Sequence, residues 1–431
     1  MKDKMLDVIV AGGGFSGLSA SYHLKKYGLT HLVFERGRIG ESWRSQRWDN
    51  FRLNSSNKLN VLPGVNYEPA SADLFGTAPK LVSSFEEYVS THQLPVLENS
   101  TIISVEKKED IFSVSVSSGN SIKEYSCRQV IIASGVANEI KIPSFAANIS
   151  KNIKQLHTSQ YRNTGQLPAG AVLVVGGAQS GIQIAEDLLA AGRKVYLSTS
   201  CVGRIPRWYR GKDIFYWIMD TKFYDIKAEE IEDPKLLELR PPHVSGTGSG
   251  RESLSLQSLA KKGAIILGKM DGAEQNNVFF QPNADMHVKF ADEFSQKIKT
   301  MIDEFISKNN LSAPSPHYDE ADIPDTNASC ASSITSLDLQ ENNINSIVWS
   351  TGFNVDFNYI KLPVFDNAGK LIHKDGIPLV PGIYFLGYPW LRNRKSPILF
   401  GIIEDAEFIV DKLYDYLKRS SDSALANTIH L

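Results

Sequence analysis

Two short stretches carry residue types at a spacing that could do chemistry: "AGGGFSG" at residues 11–17 and "VGGAQSG" at residues 175–181. In the first, Gly12, Gly14 and Gly17 stand in G-x-G-x-x-G register around Phe15 and Ser16. In the second, Gly176, Ala178 and Gly181 hold the same places around Gln179 and Ser180, with alanine in the middle position. Glycines at this spacing let a backbone approach a pyrophosphate closely, and a helix starting behind them aims unpaired N–H groups at it. A lone turn of this kind is weak evidence, so its flanks decide.

The flanks of the first turn agree. "LDVIVA" suits a buried parallel strand, "SGLSASYHLKKYG" reads as a helix closed by Gly28, and "HLVFE" is a second strand ending at Glu35, with Arg36 next. A carboxylate there can accept hydrogen bonds from ribose hydroxyls. The second copy repeats this grammar with "AVLVV", "SGIQIAEDLLAAG" and "KVYLS". Glu35 lies 23 residues after Gly12, and the same offset from Gly176 falls on Thr199. A hydroxyl thus replaces the carboxylate, and Ser198, Thr199 and Ser200, with Arg204 and Arg207 behind them, are expected to accept a 2′-phosphate. The first turn then takes a dinucleotide with a free ribose, such as FAD, and the second takes NADPH. The alternative is a degenerate duplicate that binds nothing.

Composition sets the frame for these turns. A chain of 431 residues can bury more than one core, and a net charge of −2 with 22% charged residues argues against a nucleic-acid partner. Cys127, Cys201 and Cys330 are far apart and form no CxxC pair, which argues against a disulfide framework, a thiol redox pair or a zinc site. Residues 1–4 run straight into an apolar strand, and no apolar run reaches the roughly 18 residues a membrane span requires. The expected setting is cytoplasmic, and a homo-oligomer stays open.

Two more strand ends, "QVIIASG" with Ala133 and Gly135, and "SIVWSTG", mark expected crossings between sheets. The predicted architecture is α/β with two Rossmann-like dinucleotide-binding domains. Residues 1–165 and 335–431 form the FAD domain, and residues 166–334 form an inserted NADPH domain carrying a helical insert. The C-terminal "GIYFLG", ending at Gly387, leads into an amphipathic helix whose start, near Ile402–Asp405, is expected to point its positive end at the cofactor. His243, in "RPPHVSGTGSGRES", is expected to be solvated. Substrate-lining residues are expected from residues 50–65, from "RWYRGKDIFYW" and from "YPWLRNRKSP".

The array "GGGFSGL", Glu35, "GESWRSQRWDNFRL", "ASG" before Pro143, "GGAQSG", "STGF" and "GIYFLG" resembles the class B flavin monooxygenases over nearly the full chain. It is similar to their bacterial single-component branch, to the flavin-containing monooxygenases and to plant YUCCA-type enzymes. The resemblance implies that NADPH reduces FAD and that oxygen adds to the flavin as a 4a-hydroperoxide, which oxygenates a small organic substrate without a metal. It also implies that Trp43 and Arg44 cover the flavin cofactor, that Val105 meets adenine through its backbone, and that Gln179 faces the nicotinamide. Asn54 in "RLNSSNKL" would lie beside flavin and nicotinamide, making it and Gln179 the expected catalytic residues. One departure stands out: the family fingerprint F-x-G-x-x-x-H keeps His157 and Tyr161 here, but Lys151 and Ile153 replace its Phe and Gly. That favours heteroatom or 2-oxo-acid oxygenation over Baeyer–Villiger chemistry; for His157 two readings stay open, a structural hinge between the domains and a proton donor. The competing readings are an NADPH-dependent flavin reductase that passes electrons to a protein or quinone, and a nucleotide-binding protein without turnover.

Overall fold

The computed structural model describes residues 5–66, 69–237, 241–245, 253–324 and 331–429. It opens with β1 (Leu6–Ala11), α1 (Phe15–Lys26) and β2 (His31–Phe34); the two strands run parallel, with Val8 opposite His31 and Ala11 opposite Phe34. Val8, Ile9 and Val10 are fully buried, the reason β1 reads as an unbroken apolar run. Then come α2 (Glu41–Ser45) and α3 (Ala78–His92), the latter capped by Thr77, whose side chain accepts from the Lys80 N–H, with Pro79 in its first turn. Next are β3 (Val96–Leu97), β4 (Thr101–Lys108), β5 (Ile111–Ser118) and the long β6 (Ser121–Ile132). β6 pairs antiparallel with β5, and from Cys127 to Ile132 it lies parallel to β1.

The chain crosses through β7 (Glu139–Ile140) into β8 (Lys154–His157), β9 (Ala171–Val175), α4 (Gln179–Ala190) and β10 (Val195–Ser198). The insert contributes β11 (Trp208–Tyr209), β12 (Lys212–Asp213), α5 (Ile214–Asp220), α6 (Leu256–Lys261), β13 (Ile265–Leu267), β14 (Met270–Glu274), β15 (Asn277–Phe280), α7 (Ala284–Lys308) and β16 (Ser336–Asp338). β17 (Ile344–Trp349) completes a parallel second sheet of order β13-β10-β9-β17-β8. The return strand β18 (Phe353–Asn354) pairs with β7, so both crossings meet side by side. After β19 (His373–Lys374) and β20 (Ile377–Pro378), β21 (Ile383–Phe385) joins the first sheet beside β6, and α8 (Leu399–Ile429) ends the described chain.

The fold is the expected pair of dinucleotide-binding units, but the strands of the second sheet reach beyond residues 166–334. β8 and β17 lie outside those limits because β9 needs an apolar neighbour on the side away from β10, and Ile347 and Val348 of β17 supply it, fully buried. "KQLH" is too short and polar to announce itself as the edge strand. On the first unit, Ala406, Ile409, Val410 and Leu413 of α8 pack with Val8 and Val10 of β1 and with Ala20 and Leu24 of α1. Full burial of each Ile, Val or Leu side chain among these stabilises by about 1.5–3 kcal/mol. The insert is tied down as well: Phe215, Trp217 and Tyr224 share a core with Ile298 and Ile302 of α7 and with Leu59, Ile398 and Phe400 of the first unit.

Candidate functional site

The two glycine turns are built alike. Gly12 and Gly176 both have φ near +115° (112° and 115°), and a Cβ on either would strike backbone, 2.5 Å from the Ala133 oxygen or 2.3 Å from the Ser350 oxygen. Gly17 and Gly181 each let a helix sit against its strand, since a Cβ would lie 1.8 Å from the Gly12 or the Gly176 oxygen. Open space stands before Gly14, and α1 and α4 both begin without a side-chain cap, at Gly14 and Ala178. Uncapped helix starts behind close-approach glycines fit a pyrophosphate.

The residues that differ between the turns also correspond in space. A Cβ on Gly13 would meet the Glu35 side chain at 2.9 Å, and one on Gly177 would meet the Thr199 Cα at 3.0 Å. Glu35 is buried and accepts from the Gly13 N–H at 2.7 Å and the Gly37 N–H at 2.9 Å. Burial raises its carboxyl above the usual range, while those two N–H groups work in the opposite direction. Beside it lies a cavity of about 500 Å³, lined by Gly12, Glu35, Arg36, Thr101–Ile103, Ser134 and Tyr359, a volume that fits a small ligand. Ala133 closes the floor of this turn, Gly135 follows with φ 78°, and Gly387 abuts its far side, where a Cβ would lie 2.3 Å from the Ser16 hydroxyl.

Several expected contacts are engaged elsewhere. The Val105 N–H donates to the Tyr359 oxygen at 2.7 Å and its carbonyl accepts from Lys361 at 2.9 Å, so the cavity is reached by Thr101–Ile103 rather than by the Val105 backbone. Arg44 pairs with Glu86 of α3 at 2.5 Å, and Trp43 lies under the Arg47 guanidinium, 4.7 Å from its ring centre. In the second unit the Ser198 hydroxyl donates to the Gly268 oxygen, and that of Thr199 donates to the Leu267 oxygen. Ser180 is exposed at the head of α4.

Arg204 requires a correction. It is 1% exposed and held by Asp292 at 2.8 Å, by Asp322 and by Ser295, so its charge is engaged within the insert and does not face a 2′-phosphate. The expectation of a solvated His243 is also overturned: it is 1% exposed, bridged to the 203–205 backbone, and its Nε2–H donates to the Gly177 oxygen. Burial pushes its pKa down to about 4. The residues after Ser245, 246–252, lie outside the described chain, as does Cys330. The Gln179 amide is engaged with the backbone of the 243–245 segment: it donates to the Val244 oxygen at 2.8 Å and accepts from the Val244 N–H at 3.0 Å. His157 is buried and held on both sides: its Nδ1 accepts from the Ser159 N–H, its Nε2–H donates to the Gly352 oxygen at 2.9 Å, and burial lowers its pKa.

Asn54 sits where the two units meet. Its side-chain oxygen accepts from Gln183 of α4 at 3.2 Å, and its backbone oxygen accepts from Arg207 at 2.6 Å. No motif marks Gln183, which sits one helical turn beyond Gln179 on the same face of α4 and is missed by sequence reasoning. Of the segments expected to line a substrate site, residues 50–65 meet residues 207–217, where the Ser56 and Tyr216 hydroxyls lie 2.8 Å apart and Arg207 donates to the Asn54 oxygen, whereas Arg394 of the third covers Phe223, at 4.1 Å, outside the expected stretch. Leu53, Asn57, Asn60, Leu62 and Val65 also line a mostly apolar cavity of about 480 Å³ against α3. Among the described residues no helix is long and apolar enough to cross a membrane, and no cluster of three or more His, Cys, Asp or Glu could hold a metal.

A profile of the pyridine nucleotide-disulphide oxidoreductases matches residues 9–219. The chain is 30% identical over 414 residues to the uncharacterized oxidoreductase CzcO of Bacillus subtilis (strain 168), covering 95% of this chain and 99% of that protein. In fold it is similar to a flavin-containing monooxygenase from Stenotrophomonas maltophilia, with TM-score 0.62 and 17% identity over 96% of this chain and 99% of that one. It is also similar to the ornithine N-hydroxylase of Kutzneria sp. 744, solved with reduced FAD, NADP+ and ornithine, with TM-score 0.63 and 15% identity over 96% and 100% of the two chains. Paired dinucleotide turns on two sheets and a near full-length match together place the chain in the CzcO family of oxidoreductases.

Proposed function

We propose that the protein is an NADPH-dependent FAD monooxygenase that oxygenates a small organic molecule. The observation that carries this reading is the pair of matching turns with opposite partners: Glu35 beside the first and Thr199 beside the second, joined through Asn54. Gly12, Gly14 and Gly17 with the first turn of α1 would hold the FAD pyrophosphate, and Glu35 would hold the ribose. Gly176, Ala178 and Gly181 with α4 would hold the NADPH pyrophosphate, and Thr199 would leave room where a carboxylate would repel a 2′-phosphate. FAD, when bound there, supplies the site with hydride acceptance from NADPH and activation of oxygen. The chain's own part is to orient both dinucleotides, keep water out at the junction, and offer the neutral Asn54 amide, which gives and takes hydrogen bonds without an acidic proton. The ornithine N-hydroxylase, solved with both cofactors in the same fold, supports the pairing. Oxygenation at a heteroatom or of a 2-oxo acid is favoured over Baeyer–Villiger chemistry, given Lys151 and Ile153.

Purified protein is expected to carry FAD and to consume NADPH and oxygen. Offered amines, thioethers, indoles and 2-oxo acids, it is expected to give an oxygenated product from at least one class. NADPH consumption coupled to a quinone or protein acceptor, with no oxygenated product from any class, would favour the reductase.

A further inference from the structure

A hydrogen-bonded ring closes between the second glycine turn and Asn54. At the head of α4, Gln179 clasps the Val244 backbone through both ends of its amide, at 2.8 and 3.0 Å. His243 adds a third bond from the same segment, to the Gly177 oxygen. The next carbonyl, of Ser245, accepts from Arg207 Nη1 at 2.8 Å. The same Nη1 donates to the Asn54 oxygen at 2.6 Å, and the Asn54 side chain returns to α4 through Gln183. Arg207 is 2% exposed, paired with Asp213 and lodged against Phe75, 4.6 Å from its ring centre. A buried guanidinium with fixed partners on three segments holds their relative positions, because moving one strands charge-assisted bonds away from water.

We infer that Arg207 is a positioning residue: it and the 243–245 strap transmit occupancy of the second glycine turn to Asn54, so that a bound NADP nucleotide sets the Asn54 segment beside the flavin site. This rests on the reading of the first turn as the FAD site and the second as the NADP site. Gln179, on this account, works through Val244 and not on the nicotinamide. The strap grips the turn that would carry the pyrophosphate, and its other end holds the guanidinium that holds Asn54. Any shift of that turn on binding therefore reaches the first unit through three short hydrogen-bonded links rather than through loose loop.

The test titrates NADP+ into the oxidised FAD-loaded protein. It records the dissociation constant by calorimetry and, separately, the flavin difference spectrum at saturation. Wild type is expected to bind NADP+ and to perturb the flavin spectrum. Arg207→Lys keeps the charge but loses the forked geometry, and Gln183→Leu cuts the ring at Asn54 with little change in volume. For each variant the expected result is an NADP+ dissociation constant within threefold of wild type, with less than half the saturating spectral amplitude. If Arg207→Lys does not fold, Gln183→Leu alone decides. Full amplitude in the folded variants overturns the relay while leaving the cofactor assignment standing. Lost affinity with undiminished amplitude at saturation overturns it too, since the residues would then serve binding only. Failure of wild type to bind NADP+ overturns both the relay and the proposed function.

Discussion

Glu35 and Thr199 occupy equivalent points, each against the second glycine of its turn, yet one presents a buried carboxylate and the other a hydroxyl already bonded to the Leu267 oxygen. Their correspondence was legible from a 23-residue offset because the βαβ unit fixes the length between turn and strand end. The fate of Arg204 was not legible: Asp292 and Asp322, its partners, lie 88 and 118 residues away, and nothing local announces a buried pair. Asp322 would keep Lys299, but Asp292 would lose its ion partner, so Arg204→Ala is expected to cost about 3 kcal/mol of stability in denaturant titration. The ratio of NADPH to NADH use should stay as in wild type. An undiminished midpoint together with selective loss of NADPH affinity would return Arg204 to the coenzyme. At Asn54, replacement by Leu removes both side-chain hydrogen-bonding groups at similar volume. FAD content and reduction by NADPH are expected to persist while hydrogen peroxide rises at the expense of product; wild-type coupling in that variant would make Asn54 a turn residue only.

Among the elements, the glycine turns are where the proposed assignment of one cofactor to each can be tested. A methyl at Gly181 must displace α4 from β9, because the Gly176 oxygen, 1.8 Å from the new Cβ, is backbone and cannot swing aside. Gly181→Ala is therefore expected to weaken NADP+ binding by about tenfold or more, on the order of 1.4 kcal/mol, while FAD stays bound. Gly17→Ala should do the reverse and release FAD. Equal loss of both cofactors in either variant, measured by flavin absorbance and calorimetry, would contradict the assignment of one turn to each. Strand–turn–helix units of this kind were readable because apolar runs, glycines and helix periodicity coincide. β8 was not, since so short a run of mixed polarity carries no periodic signal. His243 was misjudged for a related reason: a Pro/Gly/Ser-rich stretch reads as exposed loop, and only the bridge to residues 203–205 and the bond to Gly177 bury it.

For the whole molecule, buried neutral histidines set the acid limit. Burial lowers the pKa of His243 and of His287 to about 4 from 6.5, and those of His23, His31, His157 and His373 fall as well. Between pH 6.5 and 4 the unfolded chain binds protons at His243 and His287 that the folded chain refuses. Their contribution to stability is therefore fully present above about 6.5 and is lost as the pH falls toward about 4, on the order of 3 kcal/mol for each. Denaturant titrations from neutral pH down through this window should show the fall, and His243→Gln, which keeps an N–H for Gly177 without titrating, should flatten it. An equally steep fall in that variant would remove His243 as a cause.

The two-unit layout itself was legible because each dinucleotide unit repeats its grammar. How the units touch was not, since the contacts through Arg207, Gln183 and the 243–245 strap depend on residues distant in the chain. The central claim is that these units bring FAD and NADPH together for oxygenation, and rapid mixing tests it most directly. Protein reduced by NADPH without air, then mixed with oxygenated buffer, is predicted to pass through a long-lived spectral species before oxidised flavin returns. A single-step return to oxidised flavin, with hydrogen peroxide formed in step with the NADPH consumed, would contradict it.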